Sequence, residues 1–137
     1  MSLTNSDIGR AALNGQTART YSGNFSTDHF PLGSHYAAAY KGYLPARLYK
    51  ILQERAPFID QVVYSYSTPI AWRDNGVWIK PAVTYSATTS SKHSSQIAGR
   101  AVPWDAGMEE YLSVLAGRIA YDRYVGAYGT YRVLQAA

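Results

Sequence analysis

The sequence predicts an α+β fold: a small antiparallel sheet built on a central hairpin and packed by two or three helices. Three observations carry this. Asp74-Asn75-Gly76 interrupts a run rich in β-branched and aromatic residues, and Asn-Gly in that setting is the strongest short-range hairpin signal. Pro45 precedes apolar residues at three- and four-residue steps, the period of an amphipathic helix. A second such stripe runs through Met108, Tyr111, Leu112, Leu115 and Ile119. With 137 residues, the chain fits one domain over 1–137, since domains commonly run about 100–150 residues.

The first element, over 4–13, starts with Thr, Ser and Asp, places Ile8, Ala11 and Ala12 at helical spacing, and ends at Asn14-Gly15. Residues 16–34 are rich in Ser, Thr, Gly and Asn and include Pro31 and Gly33, so an irregular loop or arm is expected. Pro45 opens a helix with Leu48, Ile51 and Leu52 on its apolar face and Lys50, Gln53 and Glu54 outside; Pro57 stops it. Over 61–88, Val62 to Ser67 and Ile70 to Arg73 lead into the Asn75-Gly76 turn and Val77 to Lys80 leave it. Pro69 and Pro81 mark bulges or edges, because proline cannot donate to a ladder. The hydroxyl-rich stretch 88–95 leads toward a short helix through Gln96. Asp105 is placed to cap a last helix of about four turns, and the tail 124–134 reads as a frayed helix end or a Tyr-rich strand.

Composition excludes several functions. There is no Cys, hence no disulfide framework, thiol nucleophile or cysteine-ligated metal. No apolar run approaches the roughly 18 residues of a spanning helix, and residues 1–15 lack a basic start and apolar core, so no membrane association is expected. The net charge of +4 is modest and concentrated in 61–100, which holds 4 basic side chains and 1 acidic. His29, His35 and Asp28 match no zinc spacing, and no metal or other cofactor is expected. No GxSxG, HExxH, Walker or dinucleotide pattern occurs. Glu109 and Glu110 point apart on one helix, and Asp28, Asp60, Asp74, Asp105 and Asp122 fall at caps, turns or exposed ends, so no catalytic residue is assigned.

Two constellations remain as binding candidates. Thr88, Thr89, Ser90, Lys92 and His93 combine hydroxyls and backbone N–H groups with positive or titrating character, a corner suited to phosphate; helix capping and ST-turns use the same residues. A Ser–His pair using His93 stays open. The second joins Tyr64, Tyr66, Trp72, Trp78 and Tyr85 to Arg73, Lys80 and Lys92. Tyr64 and Tyr66 share a strand face by period two, and such a surface stacks bases and tracks phosphates in single-strand binders. Cross-strand packing is the competing use.

The segments 64–73 (Tyr-Ser-Tyr-Ser-Thr-Pro-Ile-Ala-Trp-Arg) and 85–96 (Tyr-Ser-Ala-Thr-Thr-Ser-Ser-Lys-His-Ser-Ser-Gln) resemble a module of small phage-encoded proteins: Tyr-Ser-Tyr-x-Thr-Pro-Ile-Ala-Trp, a turn, then Tyr-Ser-x-Thr-Thr-Ser-x-His. An extra Ser separates Thr88-Thr89-Ser90 from Lys92-His93 here. The likeness covers about 61–96 and implies a phage context in the host cytoplasm, with no established activity to transfer. Together with the small size and the Tyr- and Arg-rich composition favoured at interface anchors, it leads to the expectation of a non-enzymatic accessory protein that binds and inhibits or redirects a host or defence complex. Nucleic-acid binding by the basic, aromatic hairpin and binding or hydrolysis of a small phosphorylated molecule at 88–93 are the alternatives. Tyr-rich sheet edges are also compatible with homo-oligomers.

Overall fold

A computed structural model describes residues 3–81, 93, 96, 102–104, 108–115, 119–125 and 130–135. The fold is α+β. Helix α1 (Asn5–Leu13) starts at a capping box: Thr4 accepts from the Asp7 N–H, and the Asp7 carboxylate accepts from the Thr4 N–H at 2.8 Å. The Thr4 N–H, and after it the Thr4 hydroxyl donating at 2.9 Å, hold the Asp7 carboxyl below the ordinary carboxylate range. Its stabilising contribution is therefore present above the unfolded Asp value of about 3.9 and lost as pH falls through the lowered folded value. Thr4→Ala is expected to cost about 1 kcal/mol of stability in urea unfolding at neutral pH and to flatten the acid limb of the stability curve. An unchanged acid limb would show that the Thr4 N–H, which the variant keeps, sets the Asp7 titration without the hydroxyl.

Strands β1 (Ala18–Arg19) and β2 (Phe25–His29) follow, so the expectation of an irregular loop or arm over 16–34 is corrected. Few apolar residues mark this hairpin, but Phe25 and Thr27 are fully buried, and the Thr27 hydroxyl donates to the Val62 carbonyl at 2.8 Å. Two buried anchors in five residues suffice once the backbone is paired along β3. The chain then crosses through a short 3-10 turn (Tyr36–Ala38) to α2 (Ala46–Arg55), with Pro45 at its N-cap and Leu48, Ile51 and Leu52 buried as the spacing predicts. A 3-10 turn at Ala56–Phe58 contains Pro57 and ends the helix.

Strands β3 (Ile59–Ser65), β4 (Thr68–Asp74) and β5 (Val77–Pro81) continue the meander. Asn75 and Gly76 have φ of 50° and 82°, the paired positive values that the β4–β5 turn requires. The ladder between β3 and β4 shifts register after Val63, where Ala71 and then Pro69 are the partners; this is the bulge that Pro69 signals. Strand β6 (Val102–Trp104), not foreseen from sequence, adds parallel to β5, giving six strands in the order β1-β2-β3-β4-β5-β6, of which the first five are antiparallel.

The last described elements are α3 (Met108–Leu115) and the hairpin of β7 (Ile119–Val125) and β8 (Thr130–Gln135). The expected four-turn helix is thus shorter, and Ile119 belongs to a strand. Gly117 follows α3 in the sequence and disfavours helix. Leu112 is exposed rather than on a buried stripe, and the tail takes the strand alternative.

Both sheet faces are covered. On one, Ile59, Val62, Tyr64, Trp72 and Ile79 pack with Leu44, Leu48, Leu52 and Tyr111 from the α2 and α3 side. On the other, Phe25, Val63, Ile70, Ala71 and Trp78 pack with Ile8 and Ala12 of α1. This explains why β3 and β4 are buried almost continuously rather than alternately, an unusual pattern for antiparallel strands.

Within the first face lies a buried polar cluster that corrects the placement of Asp74 at an exposed turn. Its carboxylate is wholly buried and accepts two bonds from the Arg55 guanidinium, 2.8 and 2.9 Å, and one from the Tyr111 hydroxyl, 2.6 Å. The Trp72 indole N–H donates to Tyr111 at 2.9 Å. Burial, with Asp74 adding, pushes the Tyr111 phenol well up, and the Asp74 bond raises the Arg55 guanidinium. The cluster ties α2, β4 and α3 together.

Candidate functional site

The β3–β4 connection is a two-residue turn in which Tyr66 and Ser67 have φ of 51° and 70°. Neither is glycine, and left-handed backbone costs about 1 kcal/mol or more for each such residue. Its neighbours hold it. The Tyr66 N–H donates to the Asn24 carbonyl at 2.9 Å, from the β1–β2 turn. From the other side, the Tyr43 N–H donates to the Thr68 hydroxyl at 2.9 Å, and Gly42, with φ of 52°, lies so close that a Cβ there would run into Thr68. Three loops therefore meet at one end of the sheet. They present Tyr21, Tyr40, Tyr43 and Tyr66, all exposed, Tyr21 and Tyr43 by 92% and 86%.

Between these loops a cavity of about 150 Å³ opens on the α2-facing side of β1, β2 and β3. Its floor follows from register: Arg19 pairs with Ser26 and Ser26 with Tyr64, so the three lie in one cross-strand row. Asp28, two residues along β2, points to the same face. Tyr40 and Ser67 complete the rim. The Tyr40 ring meets Tyr64 edge-on with centroids 5.8 Å apart. Tyr64 is only 3% exposed and its hydroxyl has no hydrogen-bond partner among the described residues. Burial pushes its phenol well up, and the Asp28 charge and Tyr40 add to this. Arg19 and Asp28 form no ion pair among the described residues.

The expected binding residues are distributed differently. Tyr64 lies under the α2-side core at the cavity floor, whereas Tyr66 is a half-exposed turn residue, so the two do not share a strand face. Arg73 is engaged by Asp60 through two bonds of 2.8 and 2.9 Å and lies over Trp78, itself only 8% exposed. Lys80 is partly buried, which lowers its pKa. The aromatic and basic hairpin is therefore largely turned inward. Its spacing alone could not show this, because both faces of the sheet are covered.

His93 is buried, stacked on Phe25 with centroids 4.3 Å apart and rings 1° from parallel, and shares a 2.7 Å hydrogen bond through Nδ1 with the Ser65 hydroxyl. The Ser–His contact left open by the sequence thus exists, but both residues are closed to solvent and their contact holds the His93 ring against β3. Tyr85, Thr88, Thr89, Ser90 and Lys92 lie outside the described residues, as does the expected short helix beyond them apart from Gln96. His29 Nδ1 meets Gln61 Oε1 at 3.0 Å, part of a network in which Gln61 also donates to Thr27 and to the Gln16 carbonyl. A second concavity, of about 490 Å³, is lined by Leu32, Pro57 and Phe58 near the Asn75-Gly76 turn. None of the described helices is long and apolar enough to cross a membrane.

Fold and site together define an α+β protein with a meander covered on both faces, carrying a small polar cavity at its tyrosine-rimmed end. The chain belongs to a family of unknown function, DUF8033, matched over residues 14–110. That span contains β1 to β6 and every residue of the cavity. No curated protein and no solved structure matches the chain.

Proposed function

We propose that the chain is a non-enzymatic protein-binding module whose contact surface is the loop end bearing Tyr21, Tyr40, Tyr43 and Tyr66. The observation that carries this reading is their exposure on loops pinned by backbone hydrogen bonds. Tyrosine supplies large amphipathic contact area at low entropic cost, and rigid presentation reduces the ordering cost of association. The module resemblance makes a host or defence component of a phage-infected cell the partner of choice. Nucleic-acid binding is the weaker reading, because Arg73 is engaged by Asp60 and Trp78 is buried.

Affinity capture of the full chain from host cells, with mass spectrometry and absorbance of the eluate, tests this. A protein partner is expected, without excess absorbance at nucleic-acid wavelengths. Tyr43→Ala with Tyr66→Ala should weaken its capture about 30-fold or more, as loss of one interface anchor of about 2 kcal/mol would, while leaving the unfolding midpoint nearly unchanged. Equal recovery of the same proteins by wild type and variant, or an eluate dominated by nucleic acid, sinks the reading.

A further inference from the structure

We infer, resting on the contact surface proposed above, that the partner of the tyrosine-bearing loop end is an acidic polypeptide segment, whose carboxylates meet Arg19 and Lys41 among the exposed phenols.

Charge sets this end apart from the rest of the described residues. Elsewhere cations are matched: Arg10 holds Asp7 at 2.9 Å, Arg55 holds Asp74 at 2.8 Å and Arg73 holds Asp60 at 2.8 Å. Arg19 and Lys41 are exposed and belong to none of the ion pairs formed among the described residues. Both stand on segments that carry the exposed tyrosines. Arg19 precedes Tyr21 by two positions, and Lys41 lies between Tyr40 and Tyr43. Arg19 and Tyr40 line one cavity, which brings the two segments together. Helix α2 continues the bias: its first turn holds Arg47 and no acid, although the helix dipole favours the reverse, and Lys50 is exposed one turn on. Over 14–53 the one acidic residue is Asp28, half-buried in the cavity wall, and the next, Glu54, stands about two turns along α2 from Arg47.

The phenols point to the same chemistry. Tyr21, Tyr40, Tyr43 and Tyr66 are exposed, and their hydroxyls bond to no described residue. A phenol donates to a carboxylate while its ring takes apolar contact, so Asp and Glu interleaved with apolar residues satisfy both halves of the surface. Charge-assisted bonds to Arg19 and Lys41 add to this. A nucleic-acid strand fits less well, because it needs cations along a continuous groove, and here the Asp28 carboxylate shares the cavity with Arg19. Carboxylates of a peptide can be spaced around that charge, whereas every nucleotide brings a phosphate.

The test sorts a yeast-displayed library of random peptides, about 12 residues long, against the full chain at about 50 mM salt, where charge pairs at a rim are little screened. Enriched peptides are expected to carry Asp and Glu at least about twofold above the unsorted library. A synthesised representative should bind at least about tenfold more weakly at about 0.5 M salt, and at least about tenfold more weakly to Arg19→Gln with Lys41→Gln. The control Gln53→Glu with Asn75→Asp lowers the net charge by the same two units near the other end of β4, where Arg55 holds Asp74, and should bind within about threefold of wild type. Enriched peptides without an acidic excess overturn the inference; if Tyr43→Ala with Tyr66→Ala then abolishes their binding, the contact surface stands without an acidic partner. Full retention of binding by Arg19→Gln with Lys41→Gln, or an equal loss in the control, also overturns it, as does a single-stranded oligothymidylate that displaces the peptide more tightly than the peptide itself binds. No enrichment at all overturns the inference and the contact surface together.

Discussion

Asp74→Ala is expected to lower stability by about 3–5 kcal/mol, the range for removing one partner of a buried ion pair. The carboxylate has no exposed surface, and the variant strips three hydrogen bonds at once, two from Arg55 and one from Tyr111. What remains is a guanidinium on α2, partly shielded from water, facing a void, and a buried phenol on α3 without its acceptor. Urea unfolding measures the loss. Tyr111→Phe removes the bond to Asp74 and the one accepted from the Trp72 indole and keeps the ring, so about 1–3 kcal/mol is expected there. The double variant should cost less than the two losses added, by roughly 0.5–3 kcal/mol, because both act on one network. Additive losses would mean that Asp74 and Tyr111 stabilise the fold separately, and a loss below 1 kcal/mol for Asp74→Ala would remove the network from the account of stability.

Phe25→Ala should cost a similar amount, about 3–5 kcal/mol. Phe25 is fully buried at the centre of the α1-side core and supports the ring of His93 across a 4.3 Å stack. For a chain of this size the midpoint should fall on the order of 10 °C. Tyr21→Ala, four residues earlier and almost fully exposed, should stay within about 0.5 kcal/mol of wild type. The contrast separates a strand from an arm: were 16–34 a loose segment, both substitutions would be silent.

How much of this was legible in the sequence depends on how each element declares itself. The β4–β5 hairpin and α2 were readable because their signals are local: two positive-φ positions suit Asn-Gly, and an apolar stripe shows at helical period. The capping box of α1 was half readable, from Thr4 and the acid three residues on. Strand β2 was not, since Phe25-Ser-Thr-Asp-His carries one large apolar residue and derives its place from β3, which is remote in sequence. Strand β6 is likewise a product of tertiary pairing. Asp74 looked like a turn residue because its partners, Arg55 and Tyr111, lie 19 and 37 positions away.

The cavity shows the same limit more sharply. Tyr64 stood out among aromatic residues, but Arg19, Ser26 and Asp28 sit in a stretch whose composition suggests only a loop. Their common face exists solely because of the β1–β2–β3 register. The tyrosine excess resolves in a comparable way. Tyr64 and Tyr111 serve the core, while Tyr21, Tyr36, Tyr40, Tyr43 and Tyr66 remain outside it, a division set by loop positions rather than by spacing.

The two margins of the main sheet have a bearing on solubility. Its interior strands are long and apolar, the kind of segment that invites fibril-like stacking, yet the sheet is terminated by Ala18–Arg19 at one side and Val102–Trp104 at the other. Among the described residues, edges this short leave only two or three residues of ladder open, and one carries a charged Arg19 while the other includes Pro103, which has no N–H to donate. A second copy approaching edge-on thus finds almost nothing to extend, which protects the apolar strands between from templating aggregation.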